Sequence, residues 1–163
     1  MKPSELAAFL QECYRDRSAM TARHRAVAAH VRAYDANNTY QYIINREETH
    51  LRWLADAIVD LEAPVPEPAA GPSLTVGRGR DAWRELVAED ARAGEAFLAK
   101  WRPRVETVTH ARNRTMLRLM LGEVQEQTRL FAQIAAGTPD VLGRGGPNAG
   151  QRGVVGATRW VGD

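Results

Sequence analysis

Residues 47 to 50 read Glu-Glu-Thr-His, and within them Glu47 and His50 are the pair with the clearest chemical content. Side chains three apart on an α-helix share a face, so this carboxylate and this imidazole project together. Ile44, Leu51, Leu54 and Ile58 mark an apolar stripe, and Glu47 takes a place on that stripe where an apolar residue is expected, with His50 beside it. A buried carboxylate is costly unless it is paired, hydrogen-bonded or bound to a metal. Something must therefore compensate Glu47.

Four segments of helical periodicity are available to position the pair. The first runs from 4 to 33 through Leu6, Phe9, Leu10, Cys13, Met20, Val27 and Val31, with Ser4 as its N-cap. Asp and Asn cluster at 34–38, which predicts a tight turn there, and Asn38 with Gln41 has the spacing of a capping box. The second helix, over 37–61, is then antiparallel to the first. Residues 62–80 carry Pro64, Pro66, Pro68 and Pro72 among glycines, a composition that excludes helix. Extended at about 3.1 Å per residue, this stretch is long enough to run the length of a helical bundle. A third helix over 81–109 keeps its phase through Trp83, Val87, Asp90, Gly94, Phe97 and Trp101. Pro103 either kinks it or starts the next helix. The fourth, over 112–136, follows Met116, Leu117, Met120, Val124, Leu130, Phe131 and Ile134 and stops at Gly137-Thr138-Pro139. The chain thus divides into an all-α unit at 1–139 and a Gly-rich tail at 140–163. The seams predict burial of Leu10, Ile44, Leu51, Leu54, Ile58, Phe97, Met120, Val124 and Phe131.

Counting residues outward from the turns places the polar candidates by height. A first turn centred near Asp35 sets position 47 opposite about position 23, next to His24, and a second turn near His110 sets Glu95 opposite about 125, among Glu123, Glu126 and Gln127. The Glu47-Glu-Thr-His50 motif, in the second helix of a four-helix chain with a long crossover between helices 2 and 3, resembles the ferritin-like superfamily over roughly residues 4 to 136. In that family carboxylates and histidines from all four helices hold metal in the bundle core. The resemblance implies a ferritin-like four-helix bundle and a metal set drawn from Glu47, His50, His24, Glu95, Glu123, Glu126 and Gln127, with iron or manganese as the metal. The first helix offers His24 where the family uses Glu, and the fourth reads Glu123-Val-Gln-Glu126-Gln127 where a second Glu-x-x-His is expected. A single-metal site, an atypical carboxylate-rich site and a lost site closed by hydrogen bonds all remain open.

Composition narrows the functional classes further. Twenty-two basic residues are interspersed with 20 acidic ones, a net formal charge of +2, which gives no electrostatic footprint for nucleic acid. No apolar run approaches the roughly 20 residues of a membrane span. The N-terminus lacks a secretory pattern, so a cytoplasmic location is expected. The single cysteine, Cys13, excludes an internal disulfide and reads as a small buried apolar residue. Two functions follow as expectations. One is an iron- or manganese-binding bundle, an oxidoreductase acting with oxygen, peroxide or a small molecule at open coordination positions. The other is a non-catalytic binding or structural module whose metal site is lost and whose Glu47, His50, His24 and Gln127 form a buried polar network. In either case the expected partner is a second copy of the chain, as a dimer. A three-histidine bundle similar to the DinB-like fold ranks last, because the His spacings do not reproduce its pattern.

Overall fold

The computed structural model describes residues 1–144, which form four α-helices: α1 (Pro3–Ala28), α2 (Tyr34–Val59), α3 (Trp83–Val105) and α4 (Ala111–Ala135). The described residues contain no strand, and none of their helices is long and apolar enough to cross a membrane. The part of the expected tail beyond Arg144 lies outside them.

Side-chain pairs fix the helix directions. Arg17 meets His50 while His24 meets Glu47, so α1 and α2 are antiparallel. Glu12 with Arg104 and Asp16 with Lys100 show the same for α1 and α3. Arg46 with Glu123 and Asp60 with Arg112 show it for α2 and α4. It follows that α2 and α3 run parallel, so the chain between them must return from one end to the other. It does so along α1: the Pro64 carbonyl accepts from Gln11 Nε2 at 2.8 Å, the Ala69 N–H donates to Ser18 Oγ at 2.7 Å, and Gly71 lies beside the Ala22 carbonyl.

The first turn differs from the sequence expectation. It occupies 29–33, and the Asp/Asn cluster at 34–38 lies inside the first turns of α2, which starts at Tyr34 after an Ala33 N-cap without a side-chain bond. The reason is Asn37. Its amide donates backward to the carbonyls of Ala28 and Val31 at 2.9 and 3.3 Å, so it closes the C-terminus of α1 rather than starting a helix of its own. Asn38 is accordingly no N-cap. Ser4 is not one either, because α1 begins at Pro3 with the Lys2 N–H held by the Glu5 carboxylate at 2.7 Å. Pro103 sits within the last turn of α3, two residues before its end, and α4 starts after His110, whose Nδ1 accepts from the Asn113 N–H at 3.4 Å.

Two apolar clusters make up the core. One gathers Leu10, Cys13, Leu54, Ile58, Trp101 and Met120 at one end, and the other gathers Val27, Tyr40, Ile43, Trp83, Val87 and Phe131 at the opposite end. Of the residues expected to be buried, Leu51 alone is only half-buried. The inward stripe of α2 passes through Ile43, Glu47, His50 and Leu54, which turns position 51 toward the flank.

Candidate functional site

Between the two apolar clusters lies a layer of polar side chains, and its centre is an arginine. Arg17 follows Leu10 by seven residues and Cys13 by four, so the seam of α1 carries its side chain inward to 0% exposure. Nη1 of its guanidinium is 3.1 Å from Glu47 Oε1, and Nη2 donates to Gln127 Oε1 at 2.9 Å and faces His50 Nδ1 at 3.3 Å. The Phe97 ring of α3 lies 5.9 Å from the guanidinium carbon. Supporting contacts surround this core. His24 Nδ1 is 2.8 Å from Glu47 Oε1, and His50 Nε2 is 2.9 Å from Glu123 Oε2. Arg46 grips Glu123 through Nε at 2.9 Å and again through Nη2.

Donor and acceptor bookkeeping fixes the state of His50. A guanidinium has only donors, so Nδ1 must present its lone pair to Arg17, and the ring proton must sit on Nε2, where it is donated to Glu123. Burial, followed by the positive charge of Arg17, lowers the His50 pKa from 6.5 to about 4, which keeps the ring neutral at neutral pH. Glu47 is pulled the other way. Burial alone would raise its pKa, but the neighbouring His24 and Arg17 outweigh burial and hold the carboxyl below the usual range. Glu123, only partly buried, is likewise lowered by Arg46 and His50 against the effect of burial. Three atoms of the layer, Arg17 Nε, His24 Nε2 and Glu47 Oε2, are fully enclosed without a hydrogen-bond partner among the described residues.

Of the residues singled out from sequence, Glu47, His50, His24, Glu123 and Gln127 meet in this layer. Glu126 does not: it is exposed and lies 3.7 Å from Arg129. Glu95 does not join the layer either. It is exposed on α3, because the inward stripe of that helix runs through Asp90, Gly94 and Phe97, and residue 95 is turned roughly 100° from Gly94. Sequence reasoning missed Arg17, although the seven-residue gap between Cys13 and Met20 on the apolar seam pointed to it. It also passed over a second buried group. Asp90 accepts from Tyr40 Oη and from Arg23 Nε, both at 2.6 Å, and its place on the α3 seam was the available signal.

These residues do not fit an iron or manganese ion while Arg17 is in place. Glu47 Oε1, His50 Nδ1 and Gln127 Oε1 already serve the guanidinium, whose charge would oppose a second cation. His50 Nε2 carries its proton and has no lone pair to offer. Among the described residues, no group of three or more His, Cys, Asp or Glu side chains could hold a metal ion. The outer side of the layer opens on a cleft of about 150 Å³ between α2 and α4, lined by Tyr42, Arg46, Glu123, Glu126, Gln127 and Leu130. No protein family, curated protein or solved structure matches the chain.

Proposed function

We propose that this chain is a non-catalytic binding or structural module on a ferritin-like four-helix bundle, in which a metal-free polar layer fixes one arrangement of the helices. The observation that carries this reading is the Arg17 guanidinium on the acceptors of Glu47, His50 and Gln127. A bundle with an interchangeable apolar core can slide in register; a layer that satisfies a buried guanidinium from α1 with partners on both α2 and α4 penalises every other register by leaving charges unpaired. The four-helix arrangement, the Glu47 and His50 motif and the return segment along α1 support the ferritin-like attribution.

The competing reading, an iron- or manganese-dependent oxidoreductase, would require Arg17 to leave the centre of the layer. Metal analysis of protein purified without chelator, with thermal melts before and after chelator treatment, decides between the two. The module reading expects far less than one metal ion per chain and an unchanged melting temperature. Stoichiometric iron or manganese, with a lower melting temperature once it is stripped, would overturn it.

A further inference from the structure

We infer that the buried layer is a cation site whose occupant is supplied by the chain itself, and that removing the Arg17 guanidinium leaves Glu47, His50 and Gln127 as ligands for one divalent transition-metal ion. The inference rests on the metal-free reading of the intact chain and goes beyond it.

The layer is built around a positive charge rather than around an arginine in particular. Three acceptors of different chemistry, a carboxylate oxygen, an imidazole nitrogen and an amide oxygen, come from two helices and converge on the two terminal nitrogens of one guanidinium at 2.9 to 3.3 Å. Oxygen and imidazole donors of this kind suit manganese, cobalt and zinc. Their supports are those that a metal site needs. Glu123 takes the Nε2 proton of His50 and so keeps the Nδ1 lone pair turned inward, the arrangement by which carboxylates orient metal-binding histidines. His24 holds Glu47 through Oε1, while Glu47 Oε2 has no hydrogen-bond partner within the described residues and could add a second oxygen to the grip. Metal–ligand bonds of about 2.0 to 2.6 Å are shorter than these contacts, so the donors would have to close inward on a single point, into the volume that a shortened residue 17 vacates.

Four proteins test this: the unsubstituted chain, Arg17→Ala, Arg17→Lys and the double variant Arg17→Ala with Glu47→Gln. Each is titrated with Co2+, reading visible absorption, bound ion per chain and melting temperature. Arg17→Ala should take up one Co2+ per chain and gain several degrees in melting temperature, and free guanidinium ion at millimolar concentration should also raise its melting temperature and compete with Co2+. Arg17→Lys keeps a cation in the layer and the double variant lacks the anion, so neither should bind. The inference is overturned if Arg17→Ala is folded and takes up no Co2+, or if the double variant binds equally well. It is also overturned if Arg17→Ala stays unfolded with Co2+ or guanidinium present while the double variant folds. Glu47-dependent uptake of one Co2+ by the unsubstituted chain would instead count against the metal-free reading.

Discussion

Arg17 and Glu47 are both fully enclosed; Glu47 is the main anion that lets Arg17 remain charged, and Arg17 joins His24 in keeping Glu47 charged. Glu47→Ala strands the guanidinium, and removal of one partner from a buried pair costs about 3 to 5 kcal/mol. Glu48→Ala removes only an exposed contact with Arg25, so its effect should stay within about 0.5 kcal/mol. Denaturant melts of the two variants give this comparison directly, and equal losses would mean that Glu47 is not the buried partner. His50 adds a dependence on pH. Its pKa in the folded chain is about 4 against 6.5 when unperturbed, so between those values the unfolded chain takes up a proton that the folded chain refuses. Stability contributed by neutral His50 is therefore whole above about pH 6.5 and declines as pH falls toward 4, by on the order of 2 to 3 kcal/mol. A His50→Gln variant should lose this part of the slope, whereas the decline from Glu47 below its ordinary pKa of 4.5 should persist. Stability measured from pH 7 to 4 reads both, and an unaltered slope in the variant would place the titration elsewhere.

Helix pairs are held at a few positions where shape leaves no latitude. A Cβ on Gly94 of α3 would fall on the Thr128 hydroxyl of α4, which itself donates to the Val124 carbonyl at 2.8 Å. Gly94→Ala should cost about 1 to 3 kcal/mol through overpacking, against the gain that alanine normally brings to a helix. Adding Thr128→Ala should recover part of the loss, and a double-mutant cycle without coupling would show that the two helices are not in contact there. The same scale explains what was legible in the sequence. Helix number and the seam positions around Ile44, Leu54, Met120 and Phe131 followed from periodicity, which records only whether a face is apolar. Glu47, His50 and His24 stood out because they interrupt such a face. Arg17 interrupts one as well, but arginines usually lie at the surface, and the residue that needs it is 30 positions away on another helix. The first turn was misplaced because Asn37 bonds backward across the turn, and Asx chemistry alone does not reveal which helix end it serves. Glu95 was assigned by height, yet height says nothing about rotation around the helix axis.

Across the whole molecule, the polar layer separates two apolar cores that share the same four helices. Trp101 is buried in the core at one end and Trp83 in the core at the other. Every helix has buried residues in both cores, so neither core can dissolve without fraying helices that the other holds. The return segment adds to this linkage: Ala63 and Val65 pack on the first core, and Leu74 and Val76 on the second. Large truncations should therefore act globally. Leu54→Ala at one end and Phe131→Ala at the other should each cost about 2 to 5 kcal/mol, because both side chains are fully enclosed. In either variant both cores should unfold at one shared midpoint. Backgrounds that keep only Trp83 or only Trp101, with Trp53 and Trp160 also replaced by Phe, separate the signals of the two ends when tryptophan fluorescence is compared with far-ultraviolet circular dichroism. If Leu54→Ala lowered the midpoint read at Trp101 and left that at Trp83 in place, the ends would be independent units. The charged layer would then be a boundary between them rather than the feature that fixes their common register.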